Sequence, residues 1–242
     1  MAVRSAAMRW LLAIPLALIL LYTLLCMAIY FAGARHLPDR LVPAAWQASP
    51  DIRAQLLRVE AGMAPGDTVP RLDPLTFIPR VMHHVDSDAK DDPFMRGWRL
   101  LSRAARQRSP RHLHMRNISR HGVDIALAIR LSREWTTEQI ADVLLAESFY
   151  GRCSFGMEQA AHAYFGRPAA QLRPQESLAL IALLKGPSGY DPDRNPERFR
   201  KRYAQLAEKL GQRGPDWSAD AALARLTPAA CIGTGRIGTG AH

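Results

Sequence analysis

Two short clusters in this 242-residue chain bring cations close together in sequence, one of them with a carboxylate. The first is Arg120-His121-Gly122-Val123-Asp124. An arginine guanidinium forks onto phosphate oxygens, and His121 adds a charge that depends on pH. Asp124 stands four residues after Arg120, where a helix would bring the two within reach of an ion pair. The second cluster is Arg99 and Arg103, also four apart. It reads either as a phosphate-facing pair or as a solvated basic face. Glu60 closes the helical stretch Asp51–Glu60, and its spacing alone makes it a solvated helix-end carboxylate. Zinc chemistry has no support, because the three cysteines (26, 153, 231) form no CxxC or Cys/His cluster. His83-His84, His112 and His114 have no acid at ligand spacing and read as surface residues.

The elements that must position these groups read as helices. Ile52, Leu56, Leu57 and Val59 recur at helical spacing. Gly62, Pro65, Gly66 and Pro70 end that stretch. A second helix is predicted from about Pro74 to Val85, a loop over Asp86–Asp92, and a basic helix over Phe94–Arg108 ended by Ser109-Pro110. Ile118–Arg133 carries apolar residues at mixed helical spacing. Thr136 and Gln139 form a capping box for a helix expected to run to Tyr150 and stop at Gly151. Asn195-Pro196-Glu197 starts another, with Asn as N-cap and Pro at N1. That helix ends near Leu210, with Gly211 as its C-cap. No convincing strand-period run occurs, so the fold class is mostly α. Phe149, Tyr150, Phe155, Tyr164 and Phe165 read as core aromatics. Asp142 and Glu147 read as solvated or ion-paired. The tail from Thr227 repeats Ile-Gly-Thr-Gly at 232–235 and 237–240 and reads as disordered.

The net charge is +10 with a pI near 10.1, which favours polyanions or an anionic membrane surface. The N-terminus decides against nucleic acid. Trp10 to Ala34 carries no charge, and about 20 apolar residues span a bilayer. Arg4 and Arg9 precede the run and favour a cytoplasmic N-terminus. A signal peptide cleaved at Ala32-Gly33-Ala34 is the rival reading, but its apolar core would be unusually long. The expected organisation is a cytoplasmic end (1–9), a transmembrane anchor (10–34), a connector (35–48), a domain (49–226) and a Gly-rich tail (227–242). All 22 acidic residues and all but two of the 32 Lys and Arg follow the span. Cys26 lies within the span as a lipid-facing or packing residue. Cys153 and Cys231 either pair in an oxidising compartment or remain free.

Residues 137–210 carry the most specific pattern. It comprises Phe149-Tyr150-Gly151, Phe155-Gly156-Met157-Glu158-Gln159-Ala160-Ala161, Tyr164-Phe165-Gly166, Glu176, Gly186-Pro187-Ser188-Gly189-Tyr190-Asp191-Pro192, Asn195-Pro196-Glu197-Arg198 and Arg202. This resembles the second half of the peptidoglycan glycosyltransferase domain, glycosyltransferase family 51, found in penicillin-binding proteins and monofunctional transglycosylases. The resemblance implies a lysozyme-like domain on a single N-terminal anchor, in the bacterial inner membrane and facing the periplasm. It also implies polymerisation of lipid II into nascent glycan. There the acceptor 4-hydroxyl attacks the donor anomeric carbon and diphosphate-lipid leaves.

In that register Glu60 stands at the position of the catalytic base, and Asp124 orients the diphosphate side or a divalent metal (Mg or Mn). Arg120, His121, Arg99 and Arg103 meet the diphosphate. Departures are plain before Ile118. Ala61, Ala64 and Asp67 replace an Asp, an aromatic and a His, and only Gly97, Ala105 and Arg106 survive of a Gly-Gly-Ser-Thr/Gln-Gln motif. Leu144-Leu145-Ala146 replaces Tyr-Leu-Asn. Glu158, Glu176 and Arg202 match family positions as ion-pairing residues. An impaired homologue that holds lipid II, glycan or another cell-wall synthesis protein as a scaffold is the alternative. A lytic enzyme is a third reading.

Overall fold

A computed structural model describes the backbone of residues 2–85, 92–109 and 117–228 and the side chains of 13–83, 92–109 and 120–228. Among these residues ten α-helices and one short hairpin form the fold, as the mostly α expectation requires. The first helix, α1, runs Ala2–Ala34 and is long and apolar enough to cross a membrane over Ala13–Ala34. It does not stand clear of the rest. Cys26 and Gly33 are buried and Tyr30 is half-buried, a helical stripe that lies against α5 (Asn117–Glu134). The crossing is close because both helices present glycine. A Cβ on Gly33 would stand 2.3 Å from the Gly122 carbonyl oxygen.

The helix predicted at 51–60 is α2 (Pro50–Leu56), which continues into a π-helical turn, Leu57–Ala61. Ser49 caps its start by accepting from the Ile52 amide. Gly62, at φ +71°, turns the chain out of it, a conformation glycine adopts without Cβ strain. Next comes α3 (Phe77–Val85), which starts three residues later than the sequence suggests. Asp73 explains the delay: its carboxylate accepts from the Leu75 amide and its carbonyl from the Phe77 amide, holding 74–76 as a turn. The α4 helix (Pro93–Arg108) is capped by Asp92. Gly97 lets Pro70 cross α4, since a Cβ there would be 2.1 Å from the Pro70 Cδ.

The Thr136–Gln139 capping box opens α6 (Thr137–Glu147) as expected, but this helix does not reach Tyr150. The chain leaves it at Ser148 and forms β1 (Phe149–Gly151), antiparallel to β2 (Ser154–Phe155). The tight connection puts Arg152 and Cys153 at positive φ. As a result Phe149 and Phe155 are exposed, at 40% and 54%, and their rings pack on each other at 4.9 Å. Two of the five expected core aromatics are therefore surface residues, and Tyr150, Tyr164 and Phe165 are buried. Cys153 is disulfide-bonded. Cys231, the loop at 86–91, His112, His114 and the tail from 229 lie outside the described residues.

The centre of the fold is α8 (Pro174–Leu183), buried on every face from Glu176 to Leu183, as a helix apolar all round must be. Packed around it are α2, α7 (Met157–Phe165), α9 (Pro196–Lys209) and α10 (Ala219–Leu223). Asn195 precedes α9 without capping it. Its side-chain amide donates instead to the Ser188 carbonyl. Glu176 is fully buried, accepting from the Arg173 amide at 2.9 Å and Arg173 Nε at 3.1 Å. Its ion pairing is structural, as expected. Asp142 is also buried and accepts from Arg53 Nε and the Ala48 amide, which ties α6 to α2.

Glu176→Ala should leave the Arg173 amide without its acceptor and, because the Arg173 side chain is partly solvated, lower unfolding stability by about 1–3 kcal/mol in urea titrations. Gly97→Ala should cost about 1–3 kcal/mol by overpacking against Pro70. Burial pushes the phenols of Tyr150, Tyr164 and Tyr203 well up from their ordinary value. Their contribution is complete below the unfolded pKa of about 10 and is lost as pH climbs from there toward the folded values. Melting temperature should therefore drop above about pH 10, and replacing Tyr203 by Phe should flatten that drop.

Candidate active site

The π-helical turn at the end of α2 directs Glu60 between α4 and α9. Arg103 of α4 donates to one carboxylate oxygen and Arg202 of α9 to the other. The Glu60 side chain is only 9% exposed, that of Arg202 11% and that of Arg103 28%. The turn is also fixed through its backbone: Lys209 Nζ donates to the Val59 carbonyl at 2.9 Å, and Arg58 Nε to the Lys209 carbonyl at 3.2 Å. A π-turn adds a residue to the helix and is often found where a side chain must be re-aimed for function. Here it places Glu60 on the wall shared by two open clefts.

One cleft, about 400 Å³, is lined by Arg58, Glu60, Arg99, Lys209 and the residues from Ala61 to Ala64. The other, about 440 Å³, is lined by Glu60, Arg103, Arg106, Lys185, Arg202 and Lys209, with Val59 and Leu184. Seven cations thus surround a single carboxylate. Such a surface attracts polyanionic ligands. The Nε of Arg202 is buried and makes no hydrogen bond. That leaves a donor aimed at no protein acceptor, which native structures rarely contain.

The structure brings together Glu60, Arg99 and Arg103 of the candidates read from sequence. It does not bring Arg120, His121 or Asp124 to them. Those three lie on the N-terminal part of α5 and line neither cleft. Arg120 and His121 are exposed beside Gly122, where α5 meets α1. Between α5 and the Glu60 turn stands α4, which packs against both. The helix ion pair between Arg120 and Asp124 does not form among the described residues. Asp124 Oδ1 is buried with no hydrogen-bond partner.

Sequence reasoning missed Arg58, Lys185 and Lys209. They sit at helix ends whose convergence only the tertiary fold reveals. Arg202 was visible as an ion-pairing position, but its partner was not. No group of three His, Cys, Asp or Glu among the described residues could hold a metal ion. The clefts offer Glu60 alone among carboxylates. The residues there do not fit the divalent metal that the resemblance implies, and a diphosphate would be met by guanidinium and ammonium groups.

Residues 102–211 match the family model described as Transglycosylase. That stretch contains Arg103, Arg106, Lys185, Arg202 and Lys209 but not Glu60. The chain is similar to a biosynthetic peptidoglycan transglycosylase of Rhodospirillum centenum, 33% identical over 91 residues that cover 38% of this chain and 39% of the relative. It is also similar to one from a Marinomonas species, 31% identical over 102 residues, covering 42% and 45%. Penicillin-binding protein 1A of Pseudomonas aeruginosa is 32% identical over 95 residues, covering 39% of this chain and 12% of the relative. The matched segment thus spans less than half of each relative's length. The similarity to the transglycosylase family is thus carried by residues 102–211, the stretch that matches its model.

Proposed function

We propose that the chain is a membrane-anchored peptidoglycan glycosyltransferase that joins lipid II units through Glu60. The carrying observation is a lone carboxylate shared by two open clefts and ringed by seven cations. In this reading Glu60 takes the proton of the acceptor 4-hydroxyl as that oxygen attacks the donor anomeric carbon. The bond from that carbon to the diphosphate breaks, and the leaving oxygen keeps the electron pair. Arg103, Arg202 and Arg99 then stabilise the charge that develops on the diphosphate.

Both Glu60 oxygens already accept from arginine, but each carboxylate oxygen has a second lone pair. An incoming diphosphate also competes for the two guanidiniums and frees the base at the moment the leaving group is clamped. Ala61 is buried where the resemblance calls for an Asp, so Glu60 works without that neighbour. The domain's place on the outer face of a bacterial inner membrane, and its contact with anionic lipid, belong to the same reading.

The same double clamp also favours a second reading, in which the fold binds lipid II or glycan without turnover. Polymerisation of labelled lipid II by the full-length protein in detergent separates the two. Wild type should form glycan, and Glu60→Gln should lower the rate about 10²–10⁴-fold while lipid II still binds. Arg202→Ala should cost about 10²–10³-fold in turnover, as expected for removing one charge-stabilising donor. A folded wild-type protein that binds lipid II and forms no polymer would establish the scaffold reading instead.

A further inference from the structure

Beside the Glu60 clefts lies a further cavity of opposite character. It is open and about 560 Å³ in volume, within the size range of sites that bury a ligand. Leu57, Met63, Leu210 and Trp217 give it an apolar base, and Asp51, Asp67 and Glu138 line its edge. Local structure explains both. Asp51 and Glu138 stand in the first turns of α2 and α6, where an acid suits the helix dipole. Trp217 ends the short helical turn Pro215–Trp217 and packs on the core, as Leu57 and Leu210 do. Gln212 and Trp217 lie beyond residue 211, where the match to the transglycosylase family ends. This wall of the cavity is therefore outside the matched stretch.

The charges are distributed unevenly. Asp51 and Glu138 make no ion pair among the described residues. Arg53, which also lines the cavity, is already held by Asp142 at 2.8 Å. Arg58 directs its Nε to the Lys209 carbonyl, toward the neighbouring cleft. Asp67 is 3.9 Å from Arg96. Glu138 stays ionised, because its own amide and the Thr136 hydroxyl hold its carboxyl below the ordinary range. The cavity is thus net acidic on a chain of net charge +10.

This contrast selects among ligands. An anion is drawn to the seven cations around Glu60 and is opposed here by the carboxylates. A bare metal ion has no support, since no group of three His, Cys, Asp or Glu among the described residues could hold one. A cationic segment is repelled by most of the surface and attracted here, the arrangement that suppresses docking at wrong places. The apolar base adds what charge alone does not, a place to bury a large side chain. Arginine suits the combination, because its guanidinium forks onto carboxylates and stacks on an indole.

We propose that this cavity docks a basic, apolar peptide segment of a protein partner, with a large apolar side chain on Trp217 and Leu210 and flanking cations on Asp51 and Glu138. Leu57 and Arg58 belong to the turn that carries Glu60, and Met63 follows it. A docked segment therefore touches that turn without reaching Glu60, which does not line this cavity. The proposal is independent of the chemistry assigned to Glu60.

The probe for the test is the peptide acetyl-Gly-Arg-Bpa-Arg-Gly-amide, in which p-benzoylphenylalanine (Bpa) is both the apolar residue and the photo-crosslinker. Two controls carry Gln or Glu in place of both arginines. Each is irradiated with the full-length protein in neutral detergent, and adducts are located by mass spectrometry. The Arg peptide should label Met63, Leu210 or Trp217 saturably, at least about ten-fold above either control. Combining Asp51→Asn with Glu138→Gln should lower that labelling about ten-fold. Gln212→Arg should do the same by adding a cation at an exposed position of the lining, and it leaves both helix starts intact. Equal labelling by the Gln peptide would make this a site for apolar ligands and overturn the proposal. Absence of saturable labelling, labelling confined to α1, or labelling that Gln212→Arg leaves unchanged would also overturn it. A concentration-dependent dimer abolished by Gln212→Arg would assign the cavity to a second copy of the chain and overturn the partner reading.

Discussion

The clamp of Glu60 by Arg103 and Arg202 holds the rest of the site in place. It joins three stretches far apart in sequence: the turn after α2, the middle of α4 and the middle of α9. A buried ion pair contributes little net stability once desolvation is counted, yet removing one partner is costly because the other charge is left buried. The same holds here with the signs unevenly distributed. Seven cations face one carboxylate, so Glu60 is the only group in the clefts that offsets their mutual repulsion. Its position is therefore a condition for the clefts to exist as open, solvated spaces between helices.

The fold meets this demand with local devices. A π-turn aims Glu60, Gly62 ends the turn, and Lys209 and Arg58 tie its backbone to the end of α9. Its backing is α4, whose far side packs on α5. Gly97 brings α4 close to Pro70, and Gly122 brings α5 close to α1. Small residues thus occur where backbones must approach, and charge occurs where helix ends converge. The buried central helix, α8, receives α2, α7, α9 and α10 against one apolar surface.

Local chemistry was largely legible in the sequence. Thr136 with Gln139 and Pro196 at N1 mark helix starts because these signals are decided within a few residues. The misses occurred where long-range contacts prevailed. Phe149 and Phe155 looked like core residues by type, yet a hairpin closed by two positive-φ residues turned both outward. Asn195 looked like a cap, but the Ser188 carbonyl captured its amide. Arg120 and Asp124 had ion-pair spacing and formed no pair among the described residues. The spacing shows that two side chains can meet, while the surrounding helices decide whether they do. By spacing alone Glu60 read as a solvated helix-end carboxylate and only the family resemblance singled it out, because the convergence of α4 and α9 on it is a tertiary feature.

The two sets of candidate phosphate-binding residues end up on different faces, and the division has a physical logic. Glu60, Arg99, Arg103 and Arg202 surround open clefts on one side of α4. Arg120 and His121 precede Gly122 on the other side, at the C-terminal end of α1. A substrate with an apolar tail and an anionic head must pass from a lipid environment to a wet, cationic one. If α1 crosses a membrane, the α1–α5 junction at Gly33 lies at the end of that span, and the Glu60 clefts lie across α4 from it. Cations at the α1–α5 junction would then meet anionic head groups first, with no carboxylate paired to them among the described residues. The stronger cationic field around Glu60 would attract the same charge onward. The one unpartnered carboxylate oxygen near the junction, on Asp124, is partly withdrawn from that surface, so it does little to weaken the attraction.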